Sequence, residues 1–398
     1  MTIPTSRVIL PEPPEELKCL SENLAAAIRT KIDLSGSISF SDYMEMALYE
    51  PGLGYYSAGL QKFGEGGDFV TAPQLGCVFA QCLAKQIIQI GNVLGQYEII
   101  EAGAGSGVLA ADLLEALQEG TPPTRYRILE RSAYLRQVQR ETLERRVPQW
   151  MDRISWLDQP PVADWQGVFI ANEVLDALTV DRFCCDDGRI RQMRVSNDQD
   201  GFTWSLGQYT QAMEEQIRST LAGLEYPPTD DYQSEINTQL SGWLKTVTEG
   251  LKKGTAVFID YGYPRQEYYL PQRRNGTLIC HYRHRAHDDP FIWPGLTDIS
   301  ASVDFTALAE AADNCGFDVS GYTSQAMFLL GCGLEEVISE FQALSEKERV
   351  RKNIEVRKLT LPGEMGERFQ VMALCRDLNE DLAENLRGFT LRDLRYRL

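Results

Sequence analysis

The sequence predicts an α/β protein built on a Rossmann-like, doubly wound sheet, with a helical N-terminal region and α+β insertions. Three observations predict it. The run Tyr97-Glu98-Ile99-Ile100-Glu101 reads as a buried strand that ends on an acid, then passes through Gly103, Gly105 and Gly107 into a helix with Val108, Leu109, Leu113, Leu114 and Leu117 near helical spacing. A second strand, Tyr126 to Leu129, ends on Glu130 a little over twenty residues past the last glycine. The run Gly167–Ala171 is wholly apolar and Gly254–Ile259 nearly so, and both lead straight into polar residues, as parallel strands buried on both faces do where they reach a ligand crevice.

The remaining elements follow in chain order. Leu17, Leu20, Leu24, Ala27 and Ile28 predict an amphipathic helix over 14–32, and 41–48 a shorter one stopped by Pro51 and the glycines after it. Gly66 to Pro73 is a loop of little periodicity, followed by a long apolar helix from about Gln74 to Ile90. Ser132 starts a helix through Leu143, and 154–156 suggests a third strand. From Asp181 to Gly207 residues alternate, with Asp186-Asp187-Gly188 and Asp200-Gly201 as hairpin turns. Helices are expected over 211–221 and 234–252, then a fifth parallel strand over 254–262. Residues 263–300 lack a period and read as a long loop or lid. A helix over 305–315, a strand near 317–322, more helix across 333–358 and a last strand over 369–374 complete the order. The expected organisation is a helical region 1–95, a first core half 96–180, an insertion 181–253 and a second core half 254–398 that carries the lid.

Composition narrows the function. The 398 residues exceed what one hydrophobic core usually organises. A formal charge of -18 argues against nucleic acid, since a polyanion would have to approach a polyanion. No apolar run approaches the ~18 to 20 residues that span a bilayer. Nine cysteines with no C-x-x-C pair indicate neither a disulfide framework nor a zinc knuckle, and the N-terminus reads as neither signal nor transit peptide. A cytoplasmic protein is expected.

A strand, a tight turn and a helix N-terminus make a nucleotide-binding corner, where glycines let the backbone come close to a ligand. The pattern is G-x-G-x-G, and Val108 stands where a dinucleotide fingerprint needs a further glycine, which favours S-adenosylmethionine. Ser106 is a candidate cap for the helix. Glu130 is placed to take both ribose hydroxyls, or is a solvated acid at a strand end. Glu101 can meet the ammonium of a methionyl group or pair with a nearby arginine. The loop ending at Pro73 either closes over a ligand or is an ordinary connection. Glu173 and Asp176, where the fourth strand ends, are the acids that would hold a substrate, or else Asp176 caps a turn and Glu173 binds the cofactor amine. His281, His284 and His287 fall at i, i+3, i+6, but arginines lie between them, and no metal is expected.

Several stretches together resemble one family, the MidA-like S-adenosylmethionine-dependent methyltransferases. They are Gly67-Asp68-Phe69-Val70-Thr71-Ala72-Pro73, the block from Glu101 to Leu114, Asn172-Glu173-Val174-Leu175-Asp176-Ala177-Leu178, Ile259-Asp260-Tyr261-Gly262, the stretch from Pro294 to Phe305 and the tail from Pro362 to Leu374. The resemblance implies a class I methyltransferase fold and S-adenosyl-L-methionine as cofactor, with Asp68, Thr71, Glu101, Gly103, Gly105, Gly107, Glu130 and Asn172 as its contacts. It also implies methylation of arginine on a protein substrate, with a subunit of respiratory complex I (NADH dehydrogenase) as the candidate partner, since mitochondrial members of the family assist that assembly. Two carboxylates in fork geometry can grip a guanidinium, and Glu173 and Asp176 are the candidates for that catalytic pair. The chain departs from the family pattern at Gln74, Thr179 and Ser302. The departures at Gln74 and Ser302 keep open a scaffold that binds the cofactor and holds a partner without turnover. A dinucleotide-dependent oxidoreductase is the reading that Val108 disfavours.

Overall fold

The apolar runs pair into one sheet because each carries apolar residues on both faces. In the computed structural model, which describes residues 10–59, 71–199 and 201–398, the strands are β1 (Glu98–Ala102), β2 (Arg125–Leu129), β3 (Ile154–Leu157), β4 (Trp165–Asn172), β5 (Leu251–Tyr263), β6 (Asp318–Ser324) and β7 (Phe369–Arg376). Their order across the sheet is β6-β7-β5-β4-β1-β2-β3, and Val303–Asp304 lies beside the end of β5. The five strands β1 to β5 run parallel, whereas β7 is antiparallel to both β5 and β6. This is the class I methyltransferase-like α/β fold.

Alternate residues supply the two faces. Ile99, Val168, Ile170, Val257 and Ile259 pack with helices α1 (Val78–Leu94) and α2 (Val108–Ala116). Ile100, Phe169, Ala171, Ala256 and Phe258 pack with α4 (Leu240–Thr248) and α5 (Phe305–Asn314) on the other. Helix α3 (Ala133–Arg146) links β2 to β3 and is capped by the Ser132 hydroxyl, which accepts from the Leu135 amide.

Between β1 and β4 the chain reverses direction across the sheet. From β1 it steps outward to β2 and β3, then returns to lay β4 on the other side of β1. Such a switch point opens a crevice at the strands' carboxyl ends. The register puts those ends level: Ala102 faces Leu129 and Ala171, and Asn172 faces Ile259. Glu130, Gly103, Glu173 and Asp260, each the next residue along, therefore share one edge.

The chain divides into two compact units, and this sheet unit comprises Thr71–Leu178, Gln239–Tyr268 and Ser302–Leu398. It includes α1 and α4, which the sequence reading set in the N-terminal region and the insertion. The other unit joins residues 1–70, 179–238 and 269–301. Its helices Glu15–Ser35 and Phe40–Tyr49 and its strands Asp181–Asp186, Arg189–Asn197 and Phe202–Gly207 lie close to their expected places.

Two stretches differ from expectation. The helix expected over 234–252 begins as a strand, Gln233–Ile236, and only α4 is helical. That strand hides its type because buried Glu235 is neutralised by Arg182 at 2.9 Å, so a charged pair stands where an apolar alternation would have been read. The expected lid carries a short helix, Arg265–Tyr268, and strands Ile279–Tyr282, Arg285–His287 and Asp298–Ser300. Its hairpin turns at Arg283 and His284, both with positive φ, and so lacks the glycine or asparagine that usually signals such a turn.

Candidate active site

The glycine turn uses the residue type that takes up its backbone without strain. Gly103, Gly105 and Gly107 have φ of +63°, +52° and +78°. A Cβ on Gly103 would lie 3.0 Å from Val174 Cγ2, and one on Gly107 would lie 3.1 Å from Gln139 Cα. The turn is thus pressed between the segment after β4 and helix α3. Helix α2 starts at Val108 with Gly107 at its cap position and no side-chain cap, so Ser106 does not cap it. The left-handed glycine ends the turn instead, and among the described residues no side-chain cap is made to the start of α2.

Glu101 is buried and accepts a hydrogen bond from the Tyr126 hydroxyl at 2.7 Å. Its described partner is therefore a tyrosine on the neighbouring strand and not an arginine. Burial pushes its carboxyl up to about 7; the Tyr126 bond opposes that and the nearby Glu130 charge adds to it.

Glu130 is also buried, and burial raises its carboxyl against the donors that surround it. The Ser132 amide donates to Oε1 at 2.8 Å and the Gln139 amide to Oε2 at 3.1 Å. Arg136 ties the strand ends together, donating to the Glu130 carbonyl and to the Leu157 carbonyl at 2.6 and 2.8 Å.

At the end of β4, Asn172 donates through Nδ2 to Glu173 Oε1 at 3.1 Å. A carboxylate only accepts, so the amide nitrogen must face it and Oδ1 points elsewhere. That Oδ1 is buried and has no hydrogen-bond partner among the described residues. Glu173 itself has φ +54°, a left-handed conformation that costs a non-glycine residue about 1 to 2 kcal/mol. Its amide still donates to Ile259 at 2.9 Å, continuing the ladder between β4 and β5.

Asp260 explains how that conformation is held. Its Oδ2 accepts from three successive amides, Val174, Leu175 and Asp176, at 3.1, 2.9 and 3.2 Å, and its Oδ1 from the Tyr261 amide at 2.9 Å. Glu173 and Asp176 thus stand on one turn pinned by a buried carboxylate from the adjacent strand. Burial and the Glu173 charge raise the Asp260 carboxyl, while the amides oppose them.

Thr71 precedes the short helix Ala72–Leu75, which packs on α2, and its carbonyl accepts from the Gln74 amide at 3.0 Å. Asp68 lies outside the described residues, with most of its loop. The three histidines lie on the hairpin strands and turn of the other unit. Among the described residues no group of three or more His, Cys, Asp or Glu could hold a metal ion, and no helix is long and apolar enough to cross a membrane.

Sequence reasoning missed Tyr126, Gln139 and Asp260 as site residues. Gln139 carried a signal, since it falls with Leu135, Thr142 and Leu143 on the buried stripe of α3, where a polar side chain needs a partner. Asp260 carried another: it ends the apolar run within the fifth strand as Glu101 and Glu130 mark the ends of the first two runs.

The arrangement fits a nucleoside with a cationic side chain: a glycine cradle, an acid at the second strand's end and, beside a carboxylate, a buried acceptor unpartnered among the described residues. Comparison with known proteins agrees. A family model described as "Putative S-adenosyl-L-methionine-dependent methyltransferase" matches residues 82–323. The crystal structure of a "likely methyl transferase from Burkholderia thailandensis bound to S-adenosyl-homocysteine" superposes with a TM-score of 0.92 at 40% identity, covering 98% of this chain and 100% of that one. A relative from Drosophila melanogaster, "Protein arginine methyltransferase NDUFAF7 homolog, mitochondrial", is 26% identical, covering 91% of this chain and 89% of its own. The Homo sapiens protein arginine methyltransferase NDUFAF7 is also 26% identical, over 86% and 81%.

Proposed function

The chain belongs to the family of MidA-like S-adenosyl-L-methionine-dependent methyltransferases, and on that premise we propose that it methylates arginine in a protein substrate, with Glu173 and Asp176 receiving the guanidinium. The observation that carries the reading is the turn after β4, where Asp260 pins a segment bearing two acids and Val174 abuts the glycine cradle. The curated relatives named as protein arginine methyltransferases support it. A subunit of respiratory complex I is the partner that the family resemblance favours.

When bound, S-adenosyl-L-methionine supplies an electrophilic methyl group on a sulfonium. The residues of the chain have three tasks around it. Gly103, Gly105 and Gly107 admit it to the backbone, and Glu130 takes the ribose hydroxyls. Glu101 and the buried Oδ1 of Asn172 take the methionyl ammonium. The third task concerns the nucleophile. A guanidinium stays protonated at working pH, and its delocalised nitrogens are weak nucleophiles. Carboxylates that hold two of its nitrogens orient the third and draw positive charge away from it.

The test is transfer of isotope-labelled methyl from S-adenosyl-L-methionine into a protein extract of cells lacking this chain, followed by hydrolysis and mass spectrometry of the amino acids. Label is expected on arginine. Glu173→Gln, which keeps shape but loses charge, should slow transfer about tenfold or more while cofactor affinity changes little. Label on another residue refutes the arginine reading. Cofactor bound without any transfer favours the scaffold, and affinity lost in step with activity moves Glu173 to the cofactor site.

A further inference from the structure

Gln139 is fully buried on α3 and engages both ends of its side-chain amide with three partners. Nε2 donates to the Gly105 carbonyl at 3.0 Å and to Glu130 Oε2 at 3.1 Å. Oε1 accepts from the Trp156 indole at 2.9 Å. The indole N–H can only donate, so the oxygen must face Trp156 and the NH₂ must face the turn and the acid. The amide has one orientation, set from β3. Its backbone is confined too, because the Gln139 Cα sits where a Cβ on Gly107 would approach.

We propose that Gln139 is a positioning residue of the cofactor site: it spaces the glycine turn from Glu130 and presents that carboxylate to the ribose hydroxyls. The inference rests on the reading that Glu130 takes the ribose. An ionised carboxylate offers about four acceptor positions, so the donors supplied by the chain fix its plane and still leave capacity for hydroxyl donors. Because burial works against the charge on Glu130, a neutral donor here supports the ionised form without supplying a competing cation. Losing that donor would let the carboxylate turn or take up a proton, and either change falls on the hydroxyl contacts first.

The experiment is calorimetric binding of S-adenosylhomocysteine and of its analogue lacking both ribose hydroxyls to the full chain, with melting curves alongside. Gln139→Met should weaken the natural ligand about tenfold and the dihydroxyl-lacking analogue about twofold or less. A purely structural role would weaken both by one factor. Trp156→Phe gives the same reading if the Met variant melts early: it frees the Gln139 amide to turn over while leaving Glu130 untouched, and should cost the natural ligand about threefold with little effect on the analogue. Equal losses on both ligands, or none, in these variants overturn the proposal. Glu130→Gln is the control that separates the two claims. If it too weakens both ligands alike, the ribose reading fails; if it discriminates and the Gln139 and Trp156 variants do not, only the role of Gln139 fails.

Discussion

Replacing Glu101 by Gln should make the cofactor-free protein more stable above neutral pH and weaken its hold on the cofactor. Burial holds the Glu101 carboxyl at about 7 against an ordinary value of 4.5, so between those values the folded protein binds more protons than the unfolded chain. The associated stability is fully present below pH 4.5, is lost as pH rises toward 7, and stays lost above it. A gap of about 2.5 pH units corresponds to roughly 3 kcal/mol. The neutral amide of the Glu101→Gln variant would carry no such penalty and would still accept from Tyr126, giving up at most about 1 kcal/mol of the charge-assisted bond. The Glu101→Gln protein should therefore be about 2 kcal/mol more stable than the parent at pH 8 and no more stable than it at pH 4.5. Because the chain has two compact units, hydrogen exchange at the β1 and β2 amides is the measurement that isolates the sheet unit. The companion measurement is S-adenosylhomocysteine affinity, expected to fall by about tenfold once the carboxylate charge is gone. A Glu101→Gln protein that is less stable at pH 8, or that keeps the parent's slope with pH, would refute the account of Glu101 as a buried charge kept for its ligand.

Gly105→Val places a β-branched side chain at φ +52°, where the backbone must admit a ligand, and should abolish measurable cofactor binding in a folded protein; unchanged affinity by calorimetry would count against the site. Asp260→Asn leaves one neutral oxygen for three amides, so the turn bearing Glu173 and Asp176 should loosen and methyl transfer slow about tenfold, with cofactor affinity within about twofold; a parallel loss of affinity would assign Asp260 to the cofactor side. Chelator should leave transfer unchanged, since transfer from a sulfonium needs no Lewis acid and Arg283 and Arg285 crowd the histidine row with positive charge; activity lost with chelator and restored by zinc would overturn this.

The parts of the site that could be read from the sequence are those whose signal is local. β1, the glycine turn and α2 follow one another without interruption, and an apolar strand that stops at an acid announces the carboxyl edge within a few positions. The helix caps were less secure even here: Ser106 is a good capping residue by type, yet Gly107 already supplies the left-handed turn that starts α2. What could not be read is the second member of each contact, because it arrives from another strand or helix. Glu101 reads as an acid for a ligand or an arginine, and its partner is Tyr126, 25 residues away on β2. The turn after β4 looks like a short polar segment free to cap itself, and it is held by Asp260, 84 to 86 residues on. Such contacts exist only once the parallel register has set the strand ends level, and register between parallel strands leaves no mark in either strand alone. The same reasoning explains why the acids were legible and their charge states were not. An acid at a strand end is visible as a residue type, but whether it is ionised depends on burial, which is a property of the assembled edge. Glu101, Glu130 and Asp260 are all shifted upward with burial as the leading cause. A site that concentrates three buried carboxyls at one edge is at odds with the fold around it, and it is relieved by whatever brings donors or positive charge: Tyr126, Gln139 and the amides of the turn from within the chain and, under the function proposed above, a ligand bearing hydroxyls, an ammonium and a sulfonium from outside it.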